Sequence, residues 1–198
     1  MKKLFALFFI VILIAGCTHK VYLSLMPDYD KELVTSNVLS AVTPSVKFVK
    51  GDFEDIRADV SKYATFKQQI HTFNLFAERP VEEAIFEGIA VMLKKSGHSW
   101  LDSGDGQITV NLQLMSSTAS RNAGFVMVGA TSSIQIKLDF KETDSGLLLY
   151  SNIYNGTDER SQAMVGFLDM VKKSIDASII NFVNDVANDE SLAQSLRK

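Results

Sequence analysis

Cys17 is the only cysteine in the chain, and it closes the tetrad Ile14-Ala15-Gly16-Cys17 behind the basic pair Lys2-Lys3 and the apolar run Leu4 to Leu13. A lone thiol excludes an internal disulfide and leaves attachment or nucleophilic chemistry. A charged start, an apolar stretch and a small-residue site are the parts of a secretory signal peptide, and here the small residues end in cysteine.

The remaining residues with chemical potential do not assemble into a recognisable site. His19, His71 and His98 are scattered, with no metal-ligand spacing and no His-Glu-x-x-His pattern. No Gly-x-Ser-x-Gly elbow, glycine-rich phosphate loop or Cys-His pairing occurs. Asp55, Arg57 and Asp59 read as a solvated ion-pair cluster on a loop. Asp102-Ser103-Gly104-Asp105-Gly106 invites a calcium reading, which fails on spacing. If Gly106 were the glycine of an EF-hand loop, its first ligand positions would fall on Leu101 and Ser103. The segment is a tight turn between strands. The sequence therefore predicts no enzyme, no cofactor and no metal.

The stretch ending in Cys17 resembles the lipobox of bacterial lipoproteins. That resemblance implies a diacylglyceryl group on the Cys17 sulfur, cleavage after Gly16 and acylation of the freed amine. Two or more acyl chains give stable anchoring, because each buried methylene contributes about 0.8 kcal/mol. The alternatives are an ordinary signal peptide that leaves a free cysteine, or an uncleaved membrane helix. Sixteen residues fall short of the roughly 20 of a spanning helix, and no later apolar run reaches that length. In enteric-type bacteria an Asp directly after the lipidated cysteine favours the inner membrane, and Thr18 stands there instead. The implied address is the periplasmic face of the outer membrane.

Removing residues 1–16 takes away Lys2 and Lys3, so the 20 basic and 23 acidic residues become 18 and 23. A mildly acidic chain argues against a nucleic-acid surface. The expected organisation is a signal peptide over 1–16, a lipidated cysteine and tether over 17–44, and one domain over 45–198. The 46% apolar content supplies its core.

From Thr18 to Pro44 no steady period of 2 or 3.6 is sustained, which predicts a spacer with one short strand near Val21, Leu23 and Leu25. Val46 to Val49 reads as a strand with an exit loop over Phe53 to Asp59, and Gln69 to Phe76 reads as a second. Pro80 opens a helix whose stripe is Val81, Ile85, Ile89 and Leu93, with Glu82 and Glu83 at its start and Gly97 at its stop. Ile108 to Met115, Ile134 to Phe140 and Leu147 to Tyr154 alternate as half-buried strands, the last two joined through Asp144-Ser145-Gly146. Ser116 to Gly124 reads as polar connection, and Phe125 to Val128 as early strand, with an exposed contact surface as the alternative. A long amphipathic helix begins near Gln162, its stripe formed by Leu168, Val171, Ile175, Ile179, Phe182 and Val186.

This order predicts an α+β two-layer sandwich, a mainly antiparallel sheet with two helices packed on one face. Residues Gln69 to His98, with Ala77-Glu78-Arg79 and the helix end Lys94-Lys95-Ser96-Gly97-His98, resemble the YajG family of outer-membrane lipoproteins. Ile108 to Leu114 and the ending Asn188-Asp189-Glu190-Ser191-Leu192 are similar too. His98 departs from the aromatic residue expected after Gly97. The resemblance implies location and fold more than activity.

The leading expectation is a noncatalytic outer-membrane lipoprotein, held on the membrane through lipid on Cys17, whose domain binds another envelope component, most simply an envelope protein. A sheet edge or the Ser116 to Val128 segment would form the contact. One alternative is a binder of a small ligand, lipid or glycan, in a cavity lined by Phe73, Met92, Leu112 and Phe182. Another is a scaffold subunit of a secretion or flagellar machine.

Overall fold

The computed structural model describes residues 17–68, 71–123, 128–162 and 166–197. The signal-peptide residues 1–16, the start of the second expected strand at Gln69 and Ile70, and the run Phe125-Val126-Met127 lie outside the described residues.

Eight strands and five helices follow in order among the described residues: β1 (Thr18–Leu23), α1 (Tyr29–Glu32), α2 (Asn37–Ser40), β2 (Lys47–Asp55), β3 (Ala64–Gln68), β4 (His71–Ala77), α3 (Val81–Lys95), β5 (Ser99–Leu101), β6 (Ile108–Ala123), β7 (Val128–Glu142), β8 (Leu148–Gln162), α4 (Phe167–Ala187) and α5 (Glu190–Leu196). The strands form two sheets rather than the single one expected, in the orders β1-β4-β3 and β5-β2-β6-β7-β8. Antiparallel pairing carries the β6-β7-β8 meander, whereas β1 joins β4, and β2 joins both β5 and β6, in parallel. No local turn links parallel partners, so the sequence gives no sign of these pairings.

The meander holds the large core. Val110 faces Phe140, Leu112 faces Leu138 and Leu114 faces Ile136 across the ladder, and all six are buried. Both outer strands run far beyond their apolar stretches. Ser116 to Ala123, expected as a connection, continues β6 and pairs with β7 down to Ala123 and Val128. Its inward side is carried by small residues, Ala119 on β6 with Ser132 and Ala130 on β7, all buried, so the ladder goes on where the large apolar side chains stop.

α4 lies across β7 and β8, and α3 packs against α4 and β5. The approach of α4 to the sheet is set by small side chains. A Cβ on Gly156 would meet the Ser178 carbonyl oxygen at 1.9 Å. Ser132 Oγ donates to the Ser174 carbonyl at 2.6 Å, and Ser174 Oγ donates to Ser132 Oγ at 3.1 Å. Five of the six stripe residues expected on α4 are buried; Leu168, in its first turn, is not.

The segment expected as a spacer is part of the domain. Leu23, Leu25, Tyr29, Leu33, Leu39 and Val42 are buried in the one core cluster. Tyr29 fits between the helices because Gly88, where a Cβ would meet its ring at 2.8 Å, leaves room, and its hydroxyl donates to the Ala84 carbonyl. The Lys95 ammonium donates to the carbonyls of Tyr29, Asp30 and Leu33, closing the end of α1. The buried residues follow neither period because short helical turns and irregular links separate them, so pattern reading finds no element there.

Candidate functional site

Cys17 is exposed at the entry to β1. Its carbonyl accepts the Thr72 N–H at 2.9 Å, and the ladder continues without a break from Thr18 opposite Thr72 to Leu23 opposite Ala77. Cys17 thus stands at the head of a fixed strand. The Gly16 side of the expected cleavage bond lies outside the described residues.

Beside it the sheet brings together two of the three histidines. His19 Nε2 lies 2.9 Å from His71 Nδ1, so one imidazole donates and the other accepts. From this pair a line of rings runs inward: His19 stacks on Phe73 at 4.9 Å, Phe73 on Phe66 at 4.8 Å, and Phe66 meets the edge of Phe167 at 5.1 Å. The Arg121 guanidinium caps the line, 4.8 Å from the Phe167 ring. Two nitrogens do not complete a metal site, and among the described residues no group of three or more His, Cys, Asp or Glu is placed to hold an ion. His98 sits elsewhere as a buried core residue. Its Nδ1 accepts the Val46 N–H at 3.2 Å and its Nε2–H donates to the Leu39 carbonyl at 3.1 Å. Burial lowers its pKa.

The ends of β1, β2 and β4, the β2–β3 link and the start of α3 enclose a cleft of about 320 Å³, with Tyr22, Phe53, Phe76, Arg57, Lys62 and Arg79 in its wall. Tyr22 stacks on Phe76 at 5.3 Å yet remains 62% exposed. The Asp55 and Arg57 pair is not the solvated cluster the sequence suggests. Arg57 grips Asp55 through Nε at 2.8 Å and Nη2 at 2.5 Å, and its Nη1 donates to the Lys62 and Tyr63 carbonyls and to Ser117 Oγ. Burial of Asp55 opposes its ionisation, and the hydrogen bonds from Arg57 outweigh that and lower its pKa. Asp59 forms a separate surface pair with Lys62 at 2.8 Å, and hydrogen bonds from Lys62 and Ser61 bring it to about 2. Arg57 therefore fixes the cleft floor by joining β2, the β2–β3 link and β6.

No described helix is long and apolar enough to cross a membrane. A family model for uncharacterized lipoproteins matches residues 52–197. The chain belongs to this lipoprotein family. No curated protein sequence matches it. Among solved structures, the lipoprotein is similar to a protein of Xanthomonas campestris at 9% identity and a TM-score of 0.55, covering 89% of this chain and 96% of that one. A minor lipoprotein from Acinetobacter baumannii matches at 14% identity and a TM-score of 0.38, over 78% of this chain and 93% of that one. The first likeness shows a shared fold.

The expected interior cavity is filled. Met92, Leu112 and Phe182 are buried in the core cluster, and Phe73 is stacked between Phe66 and His19. The sequence missed the cleft because its wall combines residues from positions 22 to 82, and it missed the His19–His71 pair because a parallel partner 52 residues away leaves no local trace. The alternation of His71, Phe73 and Leu75 was the one available signal, since it places His71 on the inward face.

Proposed function

We propose that this lipoprotein is a noncatalytic, YajG-like envelope protein, held by lipid on Cys17 at the periplasmic face of the outer membrane, where its domain binds another envelope component. The observation that carries the reading is the position of Cys17, exposed at the start of a strand and directly behind a signal-peptide pattern. Family membership supports it.

The contact surface is the β1 edge with the cleft beside it. β1 is the terminal strand of its sheet, and such a strand presents unpaired backbone groups to a partner. Tyr22 and Val60 are exposed apolar side chains in the wall of the same cleft. The Ser116 to Ala123 segment is less suited than expected, because β7 already occupies its backbone.

Two measurements test this. Metabolic labelling with palmitate and intact mass should show acyl groups that Cys17→Ala lacks, with that variant released from the membrane fraction. Unlabelled wild-type protein sinks the anchor. Photo-crosslinkers at Tyr22 and Val60 should then capture one envelope component that a crosslinker at the distant Leu147 does not. Equal capture from all three positions sinks the contact surface.

A further inference from the structure

We infer that one pole of the domain, marked by the first residues of β1, β4, β7 and α4 and the last residues of β3 and β6, rests directly on the bilayer, so that the long strands stand along the membrane normal. This rests on the reading of Cys17 as lipid-bearing. The inference itself comes from three features of the fold.

The first is the absence of slack. A free tether over residues 17–44 would let the domain wander roughly 90 Å from its anchor. Instead the Cys17 carbonyl is already bonded to Thr72, and the chain beyond it is laddered and then buried. A lipid on the Cys17 sulfur pulls that pole, with no intervening chain, to the depth of the headgroups.

The second is charge. β1, β3 and β4 contain Lys20 and Lys67, both exposed, and no Asp or Glu; Arg121 adds a third cation beside Phe167, and of the acids on the neighbouring elements Asp169 is paired with Lys173, leaving Glu159 on β8. The opposite pole carries Asp102, Asp105, Glu142 and Asp144, all exposed. These belong together, since Ile108 faces Glu142 and the Thr143 N–H donates to the Gln107 carbonyl. Anionic headgroups attract the first pole and repel the second.

The third is the side chains at the pole. Leu168 is 41% exposed and Phe167 half-buried at the start of α4, and Phe167 is tied to the anchor side through the Phe66 and Phe73 rings and the His19–His71 pair. Apolar and aromatic groups flanked by lysines suit the interface between headgroups and acyl chains.

The test uses the full lipidated chain in vesicles of phosphatidylethanolamine and phosphatidylglycerol. An environment-sensitive fluorophore is placed on Leu168→Cys, Tyr22→Cys or Leu147→Cys, the native thiol being blocked by its lipid. Leu147 is 61% exposed at the far pole, about 50 Å away along β8. The expected result is a blue shift and several-fold stronger quenching by spin-labelled lipid at Leu168 than at Leu147, with Tyr22 between them or unquenched. Equal quenching at all three sites, or strongest quenching at Tyr22, overturns the inference while leaving an acylated protein. A mass without acyl groups overturns the anchor, and the inference with it.

Discussion

The Tyr154 hydroxyl donates a 2.6 Å hydrogen bond to Asp189 Oδ2, joining the middle of β8 to the link between α4 and α5. The same oxygen accepts from Tyr150 at 2.6 Å and Asn152 at 3.3 Å. The other carboxylate oxygen caps α5 through the Ser191 and Leu192 N–H groups. One side chain thus fastens the C-terminal helix to the sheet.

Asp189→Ala should therefore cost about 3 kcal/mol, combining a lost helix cap with orphaned tyrosine hydroxyls. Urea unfolding at neutral pH measures this. Burial opposes ionisation of Asp189, but the hydrogen bonds from Tyr150, Tyr154 and Leu192 outweigh it and lower the pKa. A lowered carboxylate stabilises the fold above its unfolded value near 3.9 and loses that contribution as pH falls through the folded value. The wild-type and Asp189→Ala stabilities should converge below about pH 4.

His98 should make the fold sensitive to mild acid. Its lowered pKa means that its contribution is complete above the unfolded value near 6.5 and is lost as pH falls below it. A second ring proton would sit on Nδ1, the atom that accepts the Val46 N–H. His98→Phe should flatten the dependence of unfolding free energy on pH between about 5 and 7. An unchanged slope would assign that dependence elsewhere.

Leu39→Ala separates a spacer from a core segment. Leu39 is fully buried in α2, so truncation should cost about 2–5 kcal/mol in chemical denaturation. A true tether would give no loss.

Gly156→Ala tests the closeness of β8 and α4. With the Ser178 carbonyl oxygen and the Phe182 Cβ in the way, the helix must move outward. The expected cost is about 2 kcal/mol or more, seen as a lowered melting temperature. Ser161→Ala, exposed near the end of the same strand, should be neutral.

The elements that were legible in the sequence are those whose signal is local. The α3 helix falls within one residue of its expected ends because Pro80, the acidic first turn, the basic last turn and Gly97 all mark it. The β6, β7 and β8 strands are recognisable by alternation, but only where their inward residues are large and apolar; beyond that the inward positions are small, as at Ala119, Ala130 and Ser132, and the pattern fades while the ladder continues. Everything that depends on distant pairing was hidden. β1 owes its partner to residues 71–77 and Arg57 to Ser117, so the short strand near Val21 was legible but not its place in a sheet, and a solvated cluster was expected where the fold holds a part-buried clamp. Of the candidate site, the pattern ending in Cys17 is contiguous in the chain and so visible to sequence reading, whereas the cleft is made from separate stretches that only the fold brings together.

The pairing of β1 with β4 also has a mechanical side. Were lipid attached to Cys17 and the pole set on the bilayer as proposed, a pull on that lipid would be directed along β1, while its ladder to β4 runs across the strand from Thr18 to Leu23. The load then falls on all the rungs together as shear rather than opening them one at a time. Tearing the domain from its anchor would require the whole strand to slip at once, so the grip that fixes the orientation also resists extraction.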